Sequence, residues 1–441
     1  MSNQNPGAKL SQELAPEAKR VRKGWLMYDW ANSVYSLVIS TAIFPIFYTA
    51  VTQSGSEETG DFVDRVSFFG WDLINTELYS YVIAASFLVV IVLSPMLSGI
   101  ADYAGKKLFF LKVFCYVGAA SCCALFFFDV SRLELSMIPL FLANIGFWGS
   151  LGFYNAFLPE IAPKEEHDLL SARGYVYGYV GSLILLIVCL GMIMGVGSHL
   201  TRWSFVLVGV WWAVWAQYTF RRLPANTRNQ GRDNVFWKGF REIRDVALSL
   251  KGNTRLIRYL LSFFMMSMGI QTLMLMASAF GIKEVKLEET ELIVAIILVQ
   301  VIAIPGAFLF SRLSKILGNI PMLIIATLLW GGVCIFAYTL VNGSEMFFVA
   351  AGLIGFMMGG TQSLNRSTYS KMLPVTEDTA SYFSFYEVLE KGGLVIGMTI
   401  WGLLEGLSGS MRDSLLALIV FFVLALLMLL SIPKARASDA A

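Results

Sequence analysis

Charged residues are scarce in this chain of 441 residues: Asp, Glu, Lys and Arg make up 15% of it, against about 25% in an average soluble domain. Hydrophobic residues make up 56%, and the mean hydropathy is +0.66. This composition excludes an ordinary soluble globular protein. A helix that crosses a membrane takes about 20 residues, so the chain is long enough for a dozen crossings with short connections.

Patterns for a disulfide framework, a metal site or nucleotide hydrolysis are also absent from the sequence. The five cysteines lie in apolar runs without Cys-x-x-Cys or Cys/His spacing, so we expect buried hydrophobic side chains rather than a zinc site. No Gly-x4-Gly-Lys-[Ser/Thr] sequence occurs, and the first 24 residues lack the apolar core of a cleavable signal. We therefore expect no enzymatic activity, no cofactor, no bound metal and no nucleic-acid partner.

Long apolar runs bounded by charges or turn residues predict an all-α membrane protein. There are twelve such runs, near 25–52, 79–101, 108–128, 136–159, 172–196, 203–220, 257–281, 291–311, 321–341, 346–366, 381–404 and 414–432. A weak internal repeat at an offset of 210 residues aligns Pro95 with Pro305, Asn155 with Asn365 and Ser171 with Ser381. The sequence therefore predicts twelve transmembrane helices in two pseudo-symmetric bundles of six.

A polar stretch in the middle of the chain divides these bundles. The predicted parts are an N-terminal tail (1–24), the first bundle (25–220), a linker (221–256), the second bundle (257–432) and a C-terminal tail (433–441). Within the linker, apolar residues recur at helical spacing with basic residues between them: Phe236, Phe240, Ile243, Ala247 and Leu250 alternate with Lys238, Arg241 and Arg244. This pattern predicts a basic amphipathic helix on the membrane surface.

The distribution of lysine and arginine orients the predicted helices. With the N-terminus in the cytoplasm, 26 of the 33 basic residues fall on the cytoplasmic side and six on the opposite side. The remaining one, Lys391, lies inside a predicted crossing. We therefore expect both termini in the cytoplasm. The acidic and aromatic loop 53–78 then lies outside, either as a cover over an outer opening or as a plain solvated loop.

A glycine-rich, basic loop follows the second predicted crossing. Its sequence is Gly99-Ile-Ala-Asp102-Tyr-Ala-Gly105-Lys106-Lys107. Two glycines permit close approach and a tight reversal, while Asp102 is suited to a helix N-terminus or a basic residue. The loop resembles the cytoplasmic signature of the major facilitator superfamily, Gly-x-x-x-Asp-x-x-Gly-[Arg/Lys]-[Arg/Lys]. We interpret it as a lock that holds the cytoplasmic gate shut; a basic turn that only sets topology is the alternative.

Four further segments narrow the family. They are Tyr28-Asp-Trp-Ala-Asn-Ser33, Tyr154-Asn-Ala-Phe-Leu-Pro-Glu160, Gly359-Gly-Thr-Gln-Ser-Leu-Asn-Arg-Ser367 and Phe383-Ser-Phe-Tyr-Glu387. Together they resemble the vacuole-effluxer-like branch of the superfamily, over essentially the whole chain. This resemblance implies a facilitator fold, and the fungal members of the branch are linked to amino-acid export from the vacuole. It carries no substrate motif that can be transferred residue by residue.

Polar residues are costly inside a membrane, so each of them is a candidate site residue. In the first crossing a polar stripe repeats at steps of three and four residues, and we expect it to face a central cavity: Asp29, Asn32, Ser33, Ser36 and Ser40. For Asp29 two interpretations stay open. It is either an interfacial carboxylate that reaches water or a gating or proton-carrying group.

The eleventh predicted crossing contains three charged residues. Glu387 and Lys391 stand at positions i and i+4, the spacing of a helical ion pair. A buried pair rarely adds net stability over apolar residues, so we infer a site where a proton, an ion or a charged substrate rearranges the charges. A structural salt bridge is the alternative. Glu390 is the spare carboxylate and the first candidate for proton coupling.

Other polar residues complete the set of candidates for contact with a substrate. They are Asn144, Asn155, Gln271, Gln362, Asn365, Arg366 and Tyr386. Arg366 lies near the predicted cytoplasmic end of its helix, so extension of its side chain to water and binding of an anion are both open. The amides are equally suited to orient a ligand and to join helices.

These features favour a secondary active transporter that moves a small polar solute by alternating access. Export of an amino acid or related metabolite is favoured, with protons as the expected coupling ion. We expect a monomer in a bacterial cytoplasmic membrane, with the solute and the lipid bilayer as partners. The alternatives are a membrane receptor or assembly partner that does not transport, and a transporter of lipid-linked substrates.

Overall fold

The computed structural model describes residues 6–55, 62–225 and 235–433, and this part of the chain is almost entirely helical. The helices are α1 (Pro6–Val34), α2 (Phe44–Thr52), α3 (Asn75–Ala104), α4 (Lys107–Ala124), α5 (Leu133–Asn155), α6 (Leu158–Ile161), α7 (His167–Gly195), α8 (Thr201–Phe220), α9 (Val235–Gly252), α10 (Thr254–Phe280), α11 (Glu289–Leu317), α12 (Asn319–Thr339), α13 (Ser344–Met372), α14 (Thr379–Ser408) and α15 (Met411–Leu430). The strands are β1 (Ser54–Gly55), β2 (Phe62–Val63), β3 (Arg65–Phe68) and β4 (Trp71–Ile74).

Ten helical segments of the described chain are long and apolar enough to cross a membrane. They are Pro16–Thr52, Asn75–Ala104, Lys107–Phe127, Val130–Ile161, Lys164–Gly195, Thr254–Val285, Glu289–Leu317, Asn319–Thr339, Ser344–Met372 and Met411–Leu430. Each contains or overlaps one predicted apolar run. The chain is therefore an integral membrane protein that crosses the membrane several times, as the composition predicts.

The remaining two predicted runs, 203–220 and 381–404, coincide with α8 and α14. These helices have the necessary length, but they are not among the ten apolar segments. Aromatic and polar residues lower the hydropathy of α8, and charged residues lower that of α14. The number of twelve crossings and the side on which the termini lie stay predictions.

The first crossing is not a continuous α-helix. Between α1 and α2 the chain forms a π-helical segment, Tyr35–Ile43, in which the Thr41 hydroxyl donates to the Ser36 carbonyl oxygen at 2.8 Å. A π-helical turn is wider than an α-helical turn and is common at functional sites. The three- and four-residue spacing of the predicted polar stripe therefore applies to α1 and changes beyond Val34.

The loop 53–78 contains two short antiparallel hairpins that the sequence analysis does not predict. Strand β1 pairs with β2, and β3 pairs with β4. Phe69 and Gly70 connect β3 to β4 with φ values of 49° and 79°, the geometry of a two-residue hairpin turn. The Glu134 carboxylate accepts a hydrogen bond from the Phe69 N–H at 3.0 Å, which attaches this hairpin to α5.

The described chain divides into two compact units. The first comprises Met1–Ser86 and Ala104–Gln230, and the second comprises Phe87–Tyr103 and Gly231–Ala441. The last part of α3 thus belongs to the second unit. The division near residue 230 falls within the predicted linker; the predicted bundle limits of 25–220 and 257–432 stay predictions.

The two units repeat one pattern of helix packing. In the first unit, α1 packs against α7 and α8, and α4 packs against α5 and α8. In the second, α10 packs against α14 and α15, and α12 packs against α13 and α15. The aligned prolines Pro95 and Pro305 both lie inside helices, α3 and α11. This correspondence supports the internal repeat that the sequence contains.

The linker contains the helix α9. Val246 and Leu250 are buried, whereas Arg241 and Arg244 are exposed. The Ser249 hydroxyl lies 2.7 Å from the Tyr382 hydroxyl in α14. The side chains of Phe236, Lys238, Phe240 and Ile243 lie outside the part that the structure describes, so the amphipathic character of the first half of α9 stays a prediction.

Glycines bring α11 and α13 into close contact. A Cβ atom on Gly359 would meet the Ala303 carbonyl oxygen, and one on Gly355 would meet the Val299 carbonyl oxygen. On the facing helix, a Cβ atom on Gly306 would meet the Phe356 carbonyl oxygen. Gly355 and Gly359 form the Gly-x3-Gly pattern of close helix packing in membranes. This pattern is visible in the sequence but is not among the predictions made from it.

We expect the substitution Gly359→Ala to destabilise the protein by about 1–3 kcal/mol, because backbone atoms of α11 must move to admit the methyl group. Thermal unfolding in detergent, followed by a thiol-reactive dye, measures this change. Gly402→Ala is the matched control, since no atom lies within 4 Å of the added Cβ position. Equal losses of stability in the two variants would contradict the packing argument.

Candidate functional site

Helix α14 carries the three charged residues of the strongest candidate site. The helix begins at Thr379 and ends at Ser408, where Gly409 adopts a left-handed φ of 74° and stops the helix. Helical periodicity places Glu387 and Lys391 one turn apart, with Glu390 beside them. We call Glu387, Glu390, Lys391 and their neighbour Gln271 the charged cluster.

The ammonium group of Lys391 donates hydrogen bonds to the carboxylates of both Glu387 and Glu390. The side chains of Lys391 and Glu387 are 2% and 1% exposed, and that of Glu390 is 16% exposed. With all three groups ionised, the cluster carries one net negative charge. Such a buried group of charges is costly in a membrane protein and rarely adds net stability.

Glu390 connects this group to a second helix. Its Oε1 atom accepts a hydrogen bond from Nε2 of Gln271 in α10 at 2.9 Å. Glu390 thus has one oxygen on Lys391 and the other on Gln271, and it is the most exposed of the three charged side chains. The structure brings Gln271 together with the charges of α14, a contact between residues 119 positions apart.

Aromatic side chains lie beside the charged cluster. Tyr386 is 4% exposed. Its ring is stacked on Phe263 at a centroid distance of 4.1 Å and on Tyr369 at 5.1 Å. Phe263 is not among the predicted site residues, because a phenylalanine in an apolar helix has no distinguishing signal. Tyr386 and Glu390 are four positions apart on α14, so this rigid aromatic group lies one helical turn from Glu390 on the same helix face.

The candidates on α13 occupy different environments. Nε2 of Gln362 lies 3.7 Å from the Met274 sulfur. The backbone carbonyl oxygen of Asn365 accepts a hydrogen bond from the Tyr259 hydroxyl at 2.8 Å, while the Oδ1 atom of its side chain has no partner among the described residues. Arg366 is 2% exposed. This burial favours binding within the protein over extension of the Arg366 side chain to water.

In the first unit, Asp29 lies inside an aromatic group. It is 6% exposed, and its Oδ2 atom accepts a hydrogen bond from the Tyr154 hydroxyl at 2.7 Å. Tyr154 is held by Trp25, whose ring stacks on it at 4.6 Å and whose indole N–H donates to its carbonyl oxygen at 3.0 Å. Asp29 is thus enclosed by aromatic side chains, and its gating or proton-carrying role stays a prediction.

The other polar residues of the first unit differ in exposure. Ser33, Ser36 and Ser40 are half-buried, whereas Asn32 is 1% exposed and its Nδ2 atom has no partner in the described chain. Asn155 is also buried, at 5% exposure.

Asn144 joins three segments of the first unit. Its Oδ1 atom accepts a hydrogen bond from the Tyr35 hydroxyl at 3.2 Å, and its Nδ2 atom donates to the Ser86 hydroxyl. It is 1% exposed. With both ends of its amide occupied, Asn144 has the contacts of a residue that joins helices.

Asp102 in the candidate gating loop accepts two backbone hydrogen bonds within the second unit. Its Oδ1 and Oδ2 atoms lie 3.2 Å from the Ala380 N–H nitrogen and 2.6 Å from the Ser381 N–H nitrogen, in the first turn of α14. Asp102 is 2% exposed. The carboxylate therefore caps the helix that carries the charged cluster, and its negative charge complements the helix dipole.

The remaining loop residues have separate roles in the structure. Gly99 is buried, and Gly105 ends α3 with a left-handed φ of 62°. Lys106 is exposed, but Lys107 is 1% exposed and pairs with the Glu160 carboxylate. Glu160 belongs to one of the family segments, but its pairing with Lys107 is not predictable from spacing, because the two residues are 53 positions apart.

Within the described residues, no group of three or more His, Cys, Asp or Glu side chains is arranged to hold a metal ion. The charged cluster contains groups that exchange protons and bind ionic groups.

Comparisons with known proteins agree with the fold and the motifs. The family described as "Vacuole effluxer Atg22 like" matches residues 17–441. The chain is 27% identical over 423 residues to the uncharacterised MFS-type transporter YxiO of Bacillus subtilis. This alignment covers 94% of this chain and 95% of that protein. It is 23% identical over 495 residues to autophagy-related protein 22 of Saccharomyces cerevisiae, with coverage of 95% and 91%.

Solved structures of major facilitator transporters share the fold. The fucose:proton symporter FucP of Escherichia coli superimposes with a TM-score of 0.67 at 13% identity, covering 95% of this chain and 98% of that one. The proton:xylose symporter XylE superimposes with a TM-score of 0.68 at 14% identity, covering 97% of each chain. The chain belongs to the vacuole-effluxer (Atg22-like) family of major facilitator transporters.

Proposed function

We propose that the protein is a secondary active transporter that moves a small polar solute by alternating access, with protons as the coupling ion and export as the favoured direction. The observation that carries this proposal is the charged cluster, in which Lys391 and Gln271 hold one net negative charge in a largely buried position. The family description of its relatives as effluxers supports export. An amino acid or a related metabolite is the proposed solute class.

The cluster supplies a simple chemical basis for coupling. When Glu390 gains a proton, the cluster becomes electrically neutral, because Lys391 then balances Glu387 alone. When Glu390 loses the proton, the negative charge returns and favours a cation or the ammonium group of a solute. A change of charge on α14 alters the cost of burying the cluster, so protonation and conformation are linked. The proton symporters FucP and XylE share the fold, which is consistent with proton coupling here.

Buried amides and the aromatic group around Tyr386 are the proposed contacts for the solute. Asn32 and Asn365 each hold a buried polar atom without a partner among the described residues, and such atoms are rare unless a ligand or water satisfies them. Tyr386 and Arg366 add an aromatic face and a positive charge. Twelve crossings, cytoplasmic termini, a monomeric state and a bacterial cytoplasmic membrane complete the proposal.

Flux measurements in vesicles test the coupling. A comparison of metabolites between a deletion strain and its complemented version identifies the solute, which accumulates inside the deletion strain of an exporter. In proteoliposomes loaded with that solute, the wild type should transport faster with an imposed proton gradient. Glu390→Gln should keep solute exchange and lose this response, because glutamine has the same size and keeps one acceptor oxygen but carries no titrating proton.

Glu405→Gln is the matched control for this experiment. Glu405 lies on the same helix, is half-buried and accepts a hydrogen bond from the exposed Lys283 at 3.3 Å, about four helical turns from Glu390. We expect the control to keep the full response to the proton gradient. A full response in Glu390→Gln would overturn the assignment of Glu390, and saturable solute binding without flux in the wild type would overturn transport itself.

A further inference from the structure

A basic cavity of about 1130 Å³ lies between the start of the first crossing and the end of α8. Five cationic side chains line it: Lys19, Arg20 and Lys23 from α1, and Arg221 and Arg222 after α8. Together with Tyr218 we call these residues the basic cavity. At this cavity, α1 and α8 both change from apolar to charged residues. Helices change in this way at a membrane surface.

These five cations have no ion-pair partner among the described residues. Glu17 is the only carboxylate in the described lining of the cavity. Neighbouring Arg22 behaves differently, because it pairs with the Glu166 carboxylate and donates to the Ile161 carbonyl oxygen. The excess of positive charge in the cavity is therefore local, and it is suited to an anion that carries more than one oxygen acceptor.

The wall of the cavity is built by specific contacts. The Arg222 guanidinium lies 3.3 Å from the centroid of the Tyr218 ring and donates to the Tyr218 carbonyl oxygen at 3.1 Å. The Thr219 hydroxyl donates to the Gly24 carbonyl oxygen at 2.8 Å, which joins α8 to α1. These contacts hold Arg222 and the two helix ends in a fixed arrangement.

An aromatic surface continues from the cavity along α8. Tyr218, Trp215 and Trp211 follow at steps of three and four residues, so they share one helix face. Trp215 is 37% exposed. The rings of Trp211 and Trp215 lie 5.5 Å and 5.8 Å from the Trp30 ring of α1. Trp211 is half-buried. An exposed tryptophan beside a half-buried one, next to a basic site, is suited to the glycerol and upper acyl region of a lipid.

We propose that the basic cavity binds the phosphate-bearing headgroup of an anionic phospholipid, whose acyl chains lie along the aromatic surface of α8. The cations neutralise the phosphate, and the tryptophans contact the hydrocarbon chains. A soluble phosphate would use the cations alone, so the continuity between the basic cavity and the aromatic surface that ends in the exposed Trp215 favours a lipid. A headgroup with two phosphates, as in cardiolipin, matches the five cations best.

Lipid titration of the purified full-length protein in detergent tests this site. We expect cardiolipin to bind more tightly than phosphatidylglycerol, and phosphatidylcholine to bind weakly. The variants Lys19→Gln/Lys23→Gln and Arg221→Gln/Arg222→Gln should each weaken cardiolipin binding about tenfold or more, since each removes two charges near the surface. The first pair is exposed on α1, so it remains informative where the second pair disturbs folding.

Arg312→Gln/Lys315→Gln is the matched control, because it removes two exposed cations from the end of α11 and should leave binding unchanged. An equal loss of binding in the control would mean a general charge effect and would overturn the site. Inorganic phosphate is the second arm of the test. If it displaces cardiolipin at similar concentrations, or if Trp215→Ala leaves cardiolipin binding unchanged, the cavity is a soluble-anion site and the lipid proposal is wrong.

Discussion

Replacement of Lys391 by methionine is expected to destabilise the protein by about 3–5 kcal/mol, the range for removal of one partner from a buried ion pair. Methionine has a similar length, so the change leaves little empty space. The cost arises because Glu387 and Glu390 lose the ammonium group that donates to both of them. Glu387 is 1% exposed, so water does not replace the lost partner.

Thermal and denaturant unfolding in detergent measure this loss, with a dye that reacts with free thiols as they become exposed. The chain suits such a dye, since Cys115, Cys122, Cys189 and Cys334 are all buried in the folded protein. Lys283→Met is the control. Lys283 is 66% exposed and pairs with Glu405, and an exposed pair contributes less than about 1 kcal/mol.

The double variant Lys391→Met/Glu387→Gln distinguishes the charge from other consequences of the substitution. Glu387→Gln removes the buried carboxylate that pairs with Lys391 in the wild type. We therefore expect the double variant to regain much of the stability that Lys391→Met loses. Coupling of this kind is measured as the departure from additivity in a double-mutant cycle. Additive losses would show that Lys391 acts through its packing and that the carboxylates do not depend on its charge.

The sequence is sufficient to predict features that depend on short spacing. Apolar runs predict the ten membrane-crossing segments because each helix must present hydrocarbon to lipid along its whole length. The spacing of Glu387 and Lys391 predicts their ion pair, since four residues make about one helical turn. The resemblance to the vacuole-effluxer family is confirmed by the match over residues 17–441.

Contacts between distant segments are not predictable from spacing alone. Gln271 was one of several isolated amides in the sequence, and only the packing of α10 against α14 assigns it to Glu390. The pair between Lys107 and Glu160 depends in the same way on the fold of the first unit. The π-helical segment Tyr35–Ile43 has no sequence signature that periodicity detects, because its residues are as apolar as those of an α-helix.

Loss of the Asp102 carboxylate should destabilise the start of α14 and with it the charged cluster. For Asp102→Ala we expect a loss of about 2–4 kcal/mol, because the N–H groups of Ala380 and Ser381 lose their buried acceptors and each unsatisfied group costs about 1–3 kcal/mol. Asp102→Asn keeps one acceptor oxygen and removes the charge at the helix N-terminus, so a smaller loss of about 1–2 kcal/mol is expected.

Hydrogen exchange followed by mass spectrometry locates this effect. Amide exchange in the first turn of α14 should become faster in Asp102→Ala, while exchange at the far end of the helix, near Ser408, changes less. Asp129→Ala is the matched control: Asp129 is exposed and accepts a hydrogen bond from the Ser131 N–H at 3.0 Å. The pKa of Asp129 lies below its ordinary value, chiefly because the Ser131 hydroxyl donates to it, so the control also removes an ionised carboxylate at neutral pH.

The outcome decides whether the gating loop acts through α14. Asp102 caps the helix that carries Glu387, Glu390 and Lys391. If the gate depends on this contact, loss of the Asp102 carboxylate must affect α14 more than the rest of the protein. Faster exchange confined to the first turn of α14, together with a larger loss of stability in Asp102→Ala than in Asp129→Ala, fits that requirement. Unchanged exchange in α14 would instead favour the alternative interpretation, in which the basic residues of the loop only set the topology of the chain.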